Sequence, residues 1–132
     1  MSYTVLVVDD SATIVKFVSF SLRNKGFHVI TACDGMDALE KLSRADHEID
    51  LVITDLNMPN LDGYGLIAAL RENEQYSRTP IIILSSEEGE EDKARGLSLG
   101  ATSYLVKPFK QQVLIDEVNK HVVPAGTTGV TS

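Results

Sequence analysis

The sequence predicts an α/β fold: a doubly wound, parallel five-stranded sheet with helices on both faces. Three observations lead to it. Short apolar runs rich in β-branched residues recur at 5–8, 28–32, 51–54, 81–84 and 103–106. Segments of helical length alternate with them, at about 12–25, 36–45, 63–74, 88–99 and 110–122. A strand-helix unit repeated in this way returns each strand parallel to the last through a right-handed crossover.

Each element has its own signal. Val5-Leu6-Val7-Val8 is continuously apolar, as a strand buried on both faces must be. Ser11 is placed to cap the first helix and Gly26 follows its end. That helix carries Ile14, Phe17, Val18, Ser21 and Leu22 on one stripe, with Val15 at its edge and Phe20 off it. His28-Val29-Ile30-Thr31-Ala32 is a weaker strand, whereas 51–54 and 81–84 are clear, the latter introduced by Pro80. Asp62-Gly63 reads as a turn without chemistry of its own. Gly100 closes the fourth helix, and Leu114, Val118 and Val122 form the core side of the last. Residues 1–123 are expected to form one domain, and the uncharged, aperiodic stretch 124–132 a flexible C-terminal tail.

Composition narrows the function. At 132 residues the chain is long enough for one self-sufficient core, and 43% apolar against 23% charged residues is a globular balance. A net charge of −7 with scattered Lys and Arg argues against nucleic-acid binding by this domain alone. No apolar run approaches a membrane span and no export signal opens the chain. A single cysteine, Cys33, fits a reducing cytoplasm and is expected to be a half-buried structural residue.

The informative residues punctuate the strands. Asp9 and Asp10 follow the first, Asp55 the third, Ser85 the fourth and Lys107 the fifth. In open parallel sheets ligands bind beyond the carboxyl ends of the strands, so these positions converge if strands one, three, four and five are neighbours. Any one of them has an ordinary explanation as a cap, a turn or a solvated charge. Together, three carboxylates at one edge repel, and a divalent cation relieves the repulsion. Oxygen-only donors favour Mg²⁺, or Mn²⁺, over zinc. A carboxylate is also a competent nucleophile for an acyl-phosphate, and phosphoryl transfer asks chiefly for positioning and cations.

With these residues in place, the chain resembles the receiver domain of bacterial two-component response regulators, most closely the stand-alone chemotaxis receivers. The resemblance covers residues 3–122. It rests on Val-Val-Asp9-Asp10-Ser, Thr-Asp55-Leu-Asn57-Met58-Pro59-Asn-Leu-Asp62-Gly63, Leu-Ser85-Ser86-Glu87, Gly100-Ala101, Tyr104 and Val-Lys107-Pro108-Phe109. It implies a flavodoxin-like (βα)5 fold with strand order 2-1-3-4-5. It also implies that Asp55 takes a phosphoryl group from a histidine kinase or histidine phosphotransfer domain. Asp10, Asp55 and the Asn57 backbone carbonyl would bind Mg²⁺ with the help of Asp9. Lys107, Ser85 and Ser86 would contact the phosphoryl group, and the bond to Pro108 would be cis. Ser85 and Tyr104 match the family's switch pair, with serine in place of the commoner threonine. The output would be a protein target at the face formed by the fourth helix, fifth strand and fifth helix. Val15 is the expected kinase-docking residue, at the rim of the site.

Three rivals are weaker. A haloacid-dehalogenase-type phosphatase would need a second Asp as general acid where this chain has Asn57, and Asn cannot exchange the proton. A flavodoxin-type binder would need a phosphate cradle where Asp9 and Asp10 stand. A phosphorylation-independent binding module would be favoured by the loss of Asp10, Asp55 or Lys107, and all are present.

Asn57 and Glu87 flank the expected path of the hydrolytic water, the pair the stand-alone chemotaxis receivers carry. The predicted consequence is a phosphoryl group that lasts seconds to minutes. Timing its decay after acetyl-phosphate loading checks this, and persistence for hours would contradict it.

Overall fold

The computed structural model describes residues 3–44, 48–86 and 90–122. Ten elements alternate: β1 (Thr4–Val8), α1 (Ala12–Arg23), β2 (His28–Ala32), α2 (Gly35–Ser43), β3 (Leu51–Asp55), α3 (Gly63–Glu72), β4 (Ile81–Ser86), α4 (Glu90–Leu99), β5 (Ser103–Lys107) and α5 (Gln111–His121). All strand pairs are parallel and the order is β2-β1-β3-β4-β5, the expected flavodoxin-like arrangement. The order reverses between β1 and β3, which places a crevice at the carboxyl ends of those two strands.

The sheet separates two cores, and strand alternation assigns residues to them. Val5, Val7, Ile53, Ile82 and Leu84 face Val18 and Leu22 of α1 and Leu114, Ile115 and Val118 of α5. Leu6, Val8, Val52, Ile81 and Ile83 face Ala38 and Leu42 of α2 and Leu66, Ile67 and Leu70 of α3. Both faces of β1 are thus buried, which is why its sequence shows no polar alternation. Helix α4 packs over β4 through Gly96, where a Cβ would run into the Ile83 side chain.

Caps fix where helices begin. Ser11 Oγ accepts from Ile14 N at 3.4 Å, Asp34 from Asp37 N at 2.8 Å and Asp62 from Gly65 N at 2.9 Å. Asp62 is therefore an N-cap and not merely a turn residue. Gly26 and Gly100 take the left-handed φ values of 90° and 122° that end α1 and α4.

Some expectations shift. Helix α1 stops at Arg23, and the chain turns through Lys25 to Gly26. Phe17 is 37% exposed because the core stripe is narrower than the spacing implied; its ring instead meets Phe109, centroids 5.9 Å apart. Ser21 stays on the buried side by donating to Phe17 O at 2.8 Å. Cys33 is exposed, since it lies past the end of β2 with its backbone N–H held by Asp37.

Gly63 carries a specific steric requirement. A Cβ at this position would strike the Asp55 carbonyl oxygen and the Leu56 Cα, backbone atoms that cannot swing aside. Gly63→Ala is expected to lower unfolding free energy by about 1–3 kcal/mol, the cost of overpacking, as read by urea titration.

Candidate functional site

The strands run further than the apolar pattern shows, and this builds the site. Asp55, Ser85 and Lys107 are not residues following strands but lie within them, at or next to the ends of β3, β4 and β5. Their backbones are fixed by ladder hydrogen bonds, with Asp55 opposite Leu84, Ser85 opposite Val106 and Ser86 opposite Lys107. Asp9 follows β1, its backbone N–H donating to Ala32 O at 3.2 Å.

Side chains then converge. One carboxylate oxygen from each of Asp9, Asp10 and Asp55 lies within 4.8 Å of the others. Lys107 Nζ sits 3.3 Å from Asp9 Oδ2 and 3.4 Å from Asp55 Oδ1. Asp9 is buried, and its Oδ1 accepts from Ser11 N at 2.9 Å, at the start of α1. Asp10 is exposed at the edge. Asp55 Oδ1 also accepts from Leu56 N at 2.8 Å. Burial, and then the charge of Asp9, push the Asp55 carboxyl above its ordinary value; Lys107 and the Leu56 N–H only partly offset them.

Beside this cluster lies a cavity of about 170 Å³ bounded by Asp55, Asn57, Ser85, Ser86, Asp92 and Lys107. Asn57 is exposed at its rim. Ser85 is 4% exposed and its Oγ has no hydrogen-bond partner among the described residues. An unsatisfied buried hydroxyl costs about 1–3 kcal/mol, a cost that an acceptor placed in the cavity would relieve. Tyr104 lies on the same sheet face as Ser85, two residues before the β5 position that pairs with it, and its ring is 40% exposed. The Lys107–Pro108 bond is cis.

Val15 is partly buried rather than projecting. It lines a second cavity, of about 260 Å³, together with Asp9, Asp10, Cys33 and Lys41. Phe20, at 64%, is the more exposed apolar residue of α1. Glu87 lies outside the described residues, as does the expected tail 124–132.

Sequence reasoning missed three contributors. Thr54 Oγ1 donates to the Asp55 carbonyl at 2.8 Å, and Gly63 N donates to Leu56 O at 2.9 Å, so the main chain is held at Asp55 and at the residue after it. Asp92 reaches the cavity from α4. An Asp-Gly pair opening a helical period is an N-cap signature that pointed to Asp62 and Gly63; nothing local in the sequence pointed to Asp92.

The family model for the response regulator receiver domain matches residues 5–119. The chain belongs to that family. Protein PilG of Pseudomonas aeruginosa is 42% identical over 118 residues, which cover 89% of this chain and 86% of PilG. The transcriptional regulatory proteins PrrA of Mycobacterium bovis and PhoP of Bacillus subtilis are 38% and 39% identical. Those alignments cover 97% and 92% of this chain but 53% and 48% of the relatives, so it spans about half their length. Chemotaxis protein CheY4 of Vibrio cholerae superposes with a TM-score of 0.85 at 39% identity, covering 92% of this chain and 100% of CheY4. The receiver domain of sensor histidine kinase PA1611 from P. aeruginosa does so at 0.81 and 29% identity, covering 92% of this chain and 98% of that one; it holds a magnesium ion in its active-site cleft. The chain is thus a receiver of the CheY type, a component of two-component signalling and a switch rather than a conventional enzyme. No helix among the described residues is long and apolar enough to cross a membrane.

The raised Asp55 pKa has a thermodynamic consequence. A carboxyl whose folded pKa lies above its unfolded value binds more protons when folded, so stability falls as pH rises through that window. In chelator at pH 7, Asp55→Asn is expected to melt above the parent protein, with the gap closing below about pH 4, the ordinary carboxylate range. Thermal denaturation at the two pH values reads it.

Proposed function

We propose that Asp55 accepts a phosphoryl group from the phosphohistidine of a histidine kinase or histidine phosphotransfer domain, and that Ser85 and Tyr104 convert the modification into a change of binding surface. The observation that carries this is the shared cavity: Asp55, Lys107 and Ser85, whose buried hydroxyl has no partner among the described residues, all line it. Asp55 Oδ1 is taken by Leu56 N and Lys107, which leaves Oδ2 to attack phosphorus. The new O–P bond forms as the P–N bond breaks, and the imidazole nitrogen leaves with the electron pair. Lys107 then pairs with a phosphoryl oxygen, and Ser85 Oγ donates to another, with Ser86 beside it. Charge on the equatorial oxygens is what a site must neutralise in such a transfer.

The donor set fits a hard divalent cation: three carboxylates, one of them exposed, with no His or thiol among them. Asp10, Asp55 and the Asn57 backbone carbonyl are the proposed ligands of Mg²⁺, with Asp9 directly or through water; Mn²⁺ suits the same oxygens. When bound, the metal supplies counter-charge to the phosphoryl oxygens.

Asn57 and Glu87 are the proposed determinants of hydrolysis. Val15, on the rim formed with Asp9 and Asp10, is the proposed contact for the kinase. The face of α4, β5 and α5 is the proposed site for a protein target, in a role like the chemotaxis one named for CheY4. Residues 1–123 are read as the working domain and 124–132 as its tail. The single thiol suits a reducing compartment, the cytoplasm.

Mass measurement after acetyl phosphate with Mg²⁺ tests the acceptor. One added phosphate is expected, absent from Asp55→Asn and from chelator-treated protein. Persistent addition to Asp55→Asn would falsify the assignment. Metal binding is separately readable: at about 100 times Kd, Mg²⁺ is expected to add about 2.7 kcal/mol of stability. Asp10→Asn should lose most of that gain in a thermal shift assay.

A further inference from the structure

Lys93 is a buried cation on the molecule's signalling face. It is 6% exposed, although it sits in a helix whose other charged residues are solvated. Its Nζ lies 4.7 Å from the centroid of the Tyr104 ring and 3.1 Å from Glu90 Oε2. Glu90 is 85% exposed, so this ion pair is screened and holds the ammonium weakly. The ring is the less hydrated partner. A cation over an aromatic face within about 6 Å is attracted by the ring quadrupole, and more strongly where water is excluded.

We propose that Lys93 is a positioning residue for the switch: its ammonium holds the Tyr104 ring in the outward position and so sets how much phosphorylation is needed to turn it. The inference rests on Tyr104 being the moving member of the Ser85–Tyr104 pair. Ser85 and Tyr104 share one face of the sheet, on adjacent strands, and α4 covers that face through Gly96. Lys93 lies one helical turn before Gly96, which brings its side chain over β5. An inward swing toward Ser85 takes the ring off the ammonium. The outward state therefore gains an attraction that the inward state lacks, and only such a differential contact shifts an equilibrium. Lys93 touches neither Asp55 nor the metal cluster, so its effect is on the balance of states and not on the chemistry. The neighbouring Arg95 engages another ring. Its guanidinium stacks 4.0 Å from the centroid of Tyr64 and ties α4 to α3. That leaves Lys93 as the cation of α4 that faces Tyr104.

The test uses the whole chain labelled with 3-fluorotyrosine. Four tyrosines give four ¹⁹F resonances, and Tyr104→Phe assigns the one required. Lys93→Met keeps an unbranched buried stem and removes the charge; Lys93→Gln does so with a polar end, should the first variant fold poorly. In the unmodified protein both are expected to move the Tyr104 resonance toward its position under Mg²⁺ and beryllofluoride. The ratio of inward to outward should rise about threefold to tenfold, the range expected for one partly desolvated contact of this kind. The beryllofluoride concentration giving half the shift should fall by the same factor, and Lys93→Arg should behave as the parent. A residue that merely packs would change the melting temperature and leave the resonance where it was; that result overturns the proposal. If beryllofluoride fails to move the Tyr104 resonance in the parent protein, the switch reading itself is overturned and this inference with it. If the parent responds and the neutral variants match it, only the role of Lys93 falls.

Discussion

Two carboxylates, Asp9 and Asp55, share the single ammonium of Lys107, while a third, Asp10, stands at the same edge. One cation cannot balance three anions at these distances. Backbone N–H groups take part of the excess, Ser11 N on Asp9 and Leu56 N on Asp55; burial, and then the charge of Asp9, raises the proton affinity of Asp55. The cluster is thus left under-neutralised by the fold alone. That deficit makes it receptive to a divalent cation, the property on which the proposed phosphoryl transfer relies.

The rest of the architecture keeps that cluster from relaxing. Lys107 reaches across from β5 and the acids come from β1 and β3, so the ion pairs span the sheet from an outer strand to its centre. Parallel pairing registers all of these strand ends against one another, and the two apolar cores clamp the sheet from both faces. Sliding any strand to ease the repulsion would break its ladder and expose buried Val, Leu and Ile. Electrostatic tension at the edge is held by hydrophobic packing beneath it.

Much of this was legible in the chain. The fold follows from the five alternating runs and from caps such as Ser11, because each is a local signal. Convergence of Asp9, Asp10, Asp55, Ser85 and Lys107 was legible because strand ends in a parallel sheet share an edge. What escaped is non-local. Phe17 looked like core because helical spacing does not say how wide the covering surface is, and Phe109 takes its ring instead. Val15, read as the edge of the stripe, is accordingly half buried, but the cavity it shares with Thr31 and Ala32 of β2 was not visible in the sequence. Nothing in the sequence singled out Lys93. Its burial depends on where Tyr104, a β5 residue, places its ring.

Gly63 gives the site a property that its chemistry does not. The start of α3 is pressed against the Asp55 carbonyl, and Thr54 and Gly63 tie down the main chain at Asp55 and Leu56, so Asp55 sits on a firmly held backbone. A group attached to Asp55 would find no room on the α3 side, where Gly63 already lies against the Asp55 carbonyl. On the proposed switch reading, displacement would leave through the cavity wall that Ser85 and Asp92 form, toward the Tyr104 ring. A missing methyl group would then help to set the direction in which the message travels.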